Sequence, residues 1–258
     1  DLTSEGYLNN HFVVLCTKKG IIKKTTLEAY SRPRVNGIIA VGIREGDELL
    51  EAKLTNGNHH VILASHDGRA VHFEESQVRP MGRNASGVRG MNLTGGSKKN
   101  EVIGMITVDK EELTTRQVLV VSENGYGKRS MIAEEVEGRI DYAYRMVKRG
   151  GKGVKTLQVT DKTGELIAIK SVMDQDHLMI ITRQGITIRM GLDEMRVLGR
   201  ATQGVRLIEL RKGDQIAAVA KVDSDLHEEE EAAPEGEEGT ATDEQTDGTV
   251  VDTDEPEA

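Results

Sequence analysis

Four stretches of this chain repeat one pattern, and that repetition limits the fold more than any other feature. They are "FVVLCTKKGIIKK" (12–24), "VILASHDGRAVHF" (61–73), "VLVVSENGYGKRS" (118–130) and "LMIITRQGITIRM" (178–190). Each runs from mostly apolar residues through a Ser or Thr and two polar residues to a glycine, then into an alternating stretch. The glycines are Gly20, Gly68, Gly125 and Gly185. A glycine between two apolar runs predicts a hairpin, because it supplies the positive φ that a tight turn needs.

A second frame follows each first one: "SRPRVNGIIAV", "GRNASGVRGMNL", "KRGGKGVKTLQV" and "GRATQGVRLIEL". It combines arginine, a few small or polar residues, a glycine (Gly37, Gly87, Gly153, Gly204) and an alternating strand. Paired glycines lie 17, 19, 28 and 19 residues apart, the third pair being wider because it encloses "EEVEGRIDYAYRM". An acidic turn and a further strand follow each time: "GDELLEAKL", "KNEVIGMITV", "GELIAIKSV" and "GDQIAAVAKV". Units of about 50–60 residues with about four short strands each predict an all-β array of propeller-like blades. Their bounds are about 10–60, 61–117, 118–177 and 178–222 in a body of residues 1–222. Residues 94–117 read as a polar link and a strand. "TLEAY", "EESQV" and "GLDEM" each have room for one helical turn at most.

Composition agrees with strands. Aromatic content is 3% with no Trp, so Val, Ile and Leu must build the core. The net charge of −9 averages two unlike segments. Residues 223–258 hold 16 acids and no Lys or Arg; residues 1–222 hold the other 27 acids against all 34 bases, a net +7. A basic body with an acidic tail implies a polyanionic partner and a segment that competes with it. The tail has few apolar residues and two prolines, Pro234 and Pro256, and is expected to be disordered. No run of 18 apolar residues predicts a membrane span, and no secretory signal is visible. The chain opens at Asp1 without Met and reads as a fragment or processed piece. Its one cysteine, Cys16, lies in an apolar run and is expected to be a buried, inert thiol suited to a reducing cytoplasm.

"MVKRGGKGV" (146–154) invites comparison with a nucleotide phosphate loop, but Gly153 follows Lys152 where that motif needs Ser or Thr. His59 and His60 lie in a turn with no Cys or carboxylate at ligand spacing, so no metal site is expected. His66 and His72 read as bystanders, and Tyr126 as a residue packed on its hairpin. No Ser/His/Asp set or carboxylate pair points to catalysis.

The stretches "IIKKTTLEAYSRPRVNGIIAV", "FEESQVRPMGRNASGVRGMNL", "ENGYGKRS" and "LGRATQGVRLIEL" resemble the C-terminal domain of bacterial DNA gyrase A over about residues 10–222. The paralogous domain of topoisomerase IV, with more degenerate repeats, is the weaker match. A protein-binding propeller scaffold is the alternative of a different class. The resemblance implies a β-pinwheel whose neighbouring blades exchange strands, the four repeats here resembling the last four of six. It implies non-sequence-specific wrapping of duplex DNA around the rim, in an ATP-dependent type IIA topoisomerase that introduces negative supercoils. The implied partners are DNA, the rest of gyrase A and gyrase B in a heterotetramer, in a bacterial cytoplasm on the chromosome. No catalytic residue, cofactor or metal is implied for this part. Residues 147–153, "VKRGGKG", resemble the family's Q-R-R-G-G-K-G box but carry Val147 for Gln and Lys148 for Arg. By repeat order they are the cognate loop of a later blade.

Cations that recur in the second frame are the candidate DNA contacts: Arg32, Arg34, Arg83, Arg89, Lys148, Arg149, Lys152, Lys155, Arg200 and Arg206. Glycines beside them are expected to let backbone N–H groups approach phosphate. The strand cations Lys23, Lys24, Lys128, Arg129 and Arg189 form a second, weaker set.

Overall fold

The structure, a computed structural model, describes residues 4–97 and 100–222. The acidic tail, with the disorder expected of it, lies outside the described residues. In the first repeat Phe12–Thr17 and Ile21–Thr26 pair antiparallel across the turn at Gly20, whose φ is 78°. Leu49–Thr55 adds to the other side of Phe12–Thr17. The fourth strand is the dipeptide Val88–Arg89, which belongs to the second repeat.

The same loan recurs. The second blade is Val102–Asp109, His59–Ser65, Arg69–Glu74 and the third repeat's Val154–Lys155. The third is Leu166–Val172, Gln117–Ser122, Tyr126–Met131 and the fourth repeat's Val205–Arg206. The fourth blade has three strands among the described residues: Thr187–Gly191, His177–Thr182 and Ile216–Val222. The first repeat's cognate residues, Ile38 and Ile39, pair with no strand among the described residues, and Ile39 is exposed.

Apolar runs such as "VILA" follow from this stacking. A strand between two neighbours buries both faces, so side chains of both parities must be apolar. Val61 and Leu63 pack with Val14, Cys16 and Ile22 of the first blade. Ile62 and Ala64 pack with Val118 and Val120 of the third. A third cluster joins Leu119 and Val121 to Leu178 and Ile180 of the fourth blade. Fully burying one such side chain contributes about 1.5–3 kcal/mol. The core is thus a series of layers between blades.

The strands Leu49–Thr55, Val102–Asp109, Leu166–Val172 and Ile216–Val222 neighbour one another in chain order along one side of the array. The lent dipeptides occupy the opposite edge of their sheets, which makes that edge the outer rim. Residues 27–30 and 75–77 form single 3-10 turns, and residues 191–195 form no helix. One short helix, Glu5–Asn10, has no counterpart in the sequence reading; the Ser4 hydroxyl accepts from the Tyr7 N–H at its start. "EEVEGRIDY" makes its own hairpin, Ala133–Val136 with Arg139–Tyr142. Glu137 and Gly138 both have positive φ at its tip, as a two-residue turn that follows strand twist requires. Among the described residues no helix is long and apolar enough to cross a membrane.

The glycine before each lent dipeptide is fixed by close approach as well as by φ. A Cβ on Gly153 would stand 2.2 Å from the Ala70 carbonyl oxygen, and one on Gly204 would stand 2.4 Å from that of Gly127. Gly37 has a similar φ of 79° but nothing within 4 Å of the added atom. Gly37→Ala should therefore cost only the left-handed backbone penalty, about 1–2 kcal/mol. Gly204→Ala should cost clearly more, because the dipeptide must leave its sheet. Urea melts of both variants check this; equal losses would show that close approach contributes nothing.

Candidate nucleic-acid interface

Alignment of the repeats on Gly37, Gly87, Gly153 and Gly204 resolves the rim cations into columns. Four residues before the glycine stand Arg83, Arg149 and Arg200, with Pro33 in the first repeat. Two residues after it stand Arg89, Lys155 and Arg206, with Ile39 in the first repeat. The expectation that the same loop position is basic in every repeat therefore fails in the first, where Arg32 and Arg34 flank Pro33 in the first of these columns. Both are exposed, as are Lys148 and Lys152.

A third column escapes the sequence reading. Eight residues before the glycine stand Arg79, Arg145 and Arg196, all exposed and with no side-chain acceptor among the described residues. The signal is present in the sequence, but a second frame that begins about five residues before its glycine starts too late to include it. The stretch reaching the rim is longer: Pro80, Met146 and Val197 each form a parallel bridge to the preceding hairpin, at Lys24, His72 and Arg129. Arg89 and Lys155 likewise have no side-chain acceptor among the described residues. Arg206 lies 3.6 Å from Glu209 and 3.3 Å from the Tyr126 hydroxyl.

The glycines of "KRGGKG" serve the chain itself. Gly150 donates its N–H to the Gly90 carbonyl at 2.6 Å, and the Gly151 carbonyl accepts from the Asn92 N–H at 2.9 Å. The loop lies against the preceding repeat's backbone, and it is at Gly153 that an added Cβ would intrude, 2.2 Å from the Ala70 carbonyl oxygen. The expected phosphate role of the Gly150 N–H is thereby overturned.

Four of the strand cations are corrections too. Lys23, Lys24, Lys128 and Arg129 are at most 5% exposed and cannot meet a phosphate without unpairing their strand. Lys23 donates to the Ala40 carbonyl at 2.8 Å and to the carbonyl of Arg83. Lys128 donates to the Gly199 carbonyl at 2.7 Å, to the carbonyl of Arg200 and to the Thr202 hydroxyl at 3.1 Å. Lys24 lies 3.3 Å from the Glu75 carboxylate. Arg129 donates to the Met195 carbonyl and to Asp174. A buried cation is tolerated only when oxygens replace its water, and each of these has them. Arg189 alone of this set is exposed.

The histidines are structural. His72 Nδ1 lies 2.6 Å from the Tyr144 carbonyl, so it donates there, and its Nε2 accepts from His60 Nδ1 at 2.9 Å. Burial holds His72 down to about 4, so the pair is neutral at neutral pH. Among the described residues no three His, Cys, Asp or Glu side chains are grouped to hold a metal. Cys16 is fully buried, and burial pushes its thiol up beyond the ordinary range. Tyr126 is 7% exposed and packs beneath Lys162 and Arg206, whose cationic groups lie 5.3 and 5.8 Å from its ring centre.

The family described as "DNA gyrase C-terminal domain, beta-propeller" matches residues 11–56, 59–109, 116–132, 142–173 and 176–223. The DNA gyrase A protein of Staphylococcus epidermidis (strain ATCC 12228) is 39% identical over 225 residues, 87% of this chain and 23% of the relative. That of Staphylococcus aureus (strain MRSA252) is 38% identical over 242 residues, 93% and 25%. The chain thus spans about a quarter of the length of these relatives. Among solved structures, the C-terminal domain of DNA topoisomerase IV superposes with a TM-score of 0.74 at 20% identity, covering 89% of this chain and 69% of that one. The DNA gyrase A C-terminal domain gives 0.68 at 24% identity, covering 85% and 68%. At these identities the structural likenesses establish the fold.

Burial, and secondarily the Arg200 guanidinium, push the Lys128 ammonium down to about 7. A base depressed in the folded chain binds more protons when unfolded. Its contribution to stability is therefore lowest below about pH 7 and rises as pH climbs toward the ordinary lysine value. Thermal melts of the parent and Lys128→Met between about pH 6 and 9 check this. The parent should gain Tm relative to the variant above pH 7, and parallel curves would contradict the shift.

Proposed function

The chain belongs to the DNA gyrase C-terminal domain family, and from that premise we propose that its body binds duplex DNA through phosphates along the outer rim. The observation that carries this reading is the pair of arginine-rich columns at Arg79, Arg145 and Arg196 and at Arg89, Lys155 and Arg206. Cations that recur at one repeat position, five of the six side chains without a hydrogen bond or ion pair among the described residues, form a track for a polyanion. Phosphate contacts position a duplex without reading its bases, so sequence preference is weak.

A duplex that follows contacts on successive blades is bent. Bending 20–30 base pairs by 40–90° costs about 1–6 kcal/mol, which cations on several blades together offset. In the holoenzyme, with the rest of gyrase A and with gyrase B, this bend presents DNA for ATP-dependent negative supercoiling in the bacterial cytoplasm. Strand cleavage and ATP hydrolysis lie in other parts of that enzyme. The acidic residues 223–258 compete with phosphate for the rim cations at short range, since charges are screened beyond about 10 Å at 0.1 M salt.

A salt series with random duplexes tests this. If about six phosphates are contacted, the slope of log K against log salt is near −5. Arg79→Ala, Arg145→Ala and Arg196→Ala together should reduce its magnitude by about two to three. Truncation after Val222 should tighten binding at about 50 mM salt, with the gain shrinking as salt rises. A slope near zero contradicts rim binding; equal affinity of full and truncated chains contradicts the tail's competition.

A further inference from the structure

The column of Arg83, Arg149 and Arg200 differs from the other two in what its guanidinium groups touch. Arg200 Nε donates to the Ala143 carbonyl at 2.7 Å and its terminal nitrogen to the Lys155 carbonyl at 3.0 Å. Arg149 Nε donates to the Gln77 carbonyl at 2.9 Å and its terminal nitrogen to the Arg89 carbonyl at 3.3 Å. Ala143 and Gln77 stand at one repeat position, ten residues before the aligned glycine of the preceding repeat. Lys155 and Arg89 stand two residues after that glycine. Arg83 makes the second of these bonds, to the Ile39 carbonyl at 3.1 Å.

We propose that Arg83, Arg149 and Arg200 are positioning residues: each reaches back one repeat and ties down the preceding rim loop, Arg149 and Arg200 clamping both of its ends. One of the two oxygens grasped is the backbone carbonyl of the very residue, Arg89 or Lys155, whose side chain lies in the phosphate-binding column. The clamp therefore sets where that cation stands relative to the next blade. The consequence for DNA rests on the rim-binding reading above; the clamp itself does not.

The chemistry requires arginine. Its flat fork presents Nε–H and a terminal N–H side by side, two of five donors, while lysine offers a single point charge. Charge-assisted bonds to carbonyls are stronger than neutral ones. Each clamp is in turn anchored from below. The Arg83 carbonyl is held by buried Lys23 and the Arg200 carbonyl by buried Lys128. In the second blade Val71 stands where the first and third have lysine, and there Gln77 Oε1 accepts the Arg149 N–H at 2.9 Å instead. Different residues thus perform one task, fixing the clamp arginine's backbone while its side chain grips the repeat before. The first repeat has Pro33 at this position, so it is held by Arg83 and clamps nothing itself.

The test uses the full chain with Arg200→Lys and, independently, Arg149→Lys, which keep the charge but lose the fork. Amide hydrogen exchange without DNA reads the clamp directly. Losing one charge-assisted bond should speed local opening by about tenfold. Arg200→Lys should do so at residues 143–156, in the repeat before the substitution, and leave residues 77–90 unchanged. Arg149→Lys should loosen residues 77–90. With a duplex labelled at both ends, both variants should keep the parent's salt slope yet show a longer end-to-end distance. Unchanged exchange in the preceding loop overturns the clamp, and so does a slope reduced by about one in the neutral variants Arg200→Gln or Arg149→Gln with exchange unchanged, since that marks a direct phosphate ligand. If the parent binds no DNA while the cross-repeat exchange effect persists, the clamp stands and the rim-binding reading falls.

Discussion

The two residues that each repeat lends to its predecessor are what the other features depend on. Val88–Arg89, Val154–Lys155 and Val205–Arg206 complete sheets they do not belong to in sequence. Only then are the hairpins at Ile21–Thr26, Arg69–Glu74 and Tyr126–Met131 covered on their outer side. The loan needs a glycine at Gly87, Gly153 or Gly204, because the backbones approach too closely for any Cβ. It also carries a cation to the rim: Arg89, Lys155 and Arg206 are exposed, beside the half-buried Val88 and Val154 and the exposed Val205. Fold and surface charge are thus set by the same dipeptide.

Much of this is legible in the sequence. The hairpin glycines, the two-frame repeat and the buried Cys16 follow from hydrophobic periodicity and turn chemistry, which are local. The burial of Lys23 and Lys128 is not legible, for a physical reason. "IIKKTT" and "YGKRSM" read as half-exposed strands, and what covers them arrives from about sixty to seventy residues away. A lysine whose ammonium sits among carbonyls of another repeat carries no local mark of it. The column of Arg79, Arg145 and Arg196 is legible in principle, but only to a frame begun farther from its glycine. His72, a bystander by its sequence, is a buried partner of His60 because its strand is interior.

Cations in this molecule divide by what oxygens they hold. Lys23, Lys24, Lys128 and Arg129 have exchanged water for protein oxygens and serve packing. Arg83, Arg149 and Arg200 serve the spacing between repeats. Arg79, Arg145, Arg196, Arg89 and Lys155 have no side-chain acceptor among the described residues, and the proposed DNA track runs through them. Sequence alone sees one basic loop; burial and hydrogen bonding separate it into three roles. The net +7 of residues 1–222 therefore overstates the charge a partner can reach.

Mass-spectrometric footprinting of arginine with a dicarbonyl reagent, with and without a random duplex, tests the central claim most directly. Simultaneous protection of Arg79, Arg145, Arg196, Arg89 and Arg206 is expected, with Arg211, exposed off the columns in the turn before Ile216–Val222, still reactive and the buried Arg129 unreactive in both states. Protection confined to one repeat, or equal protection of Arg211 and the rim columns, would contradict a track that runs across successive blades.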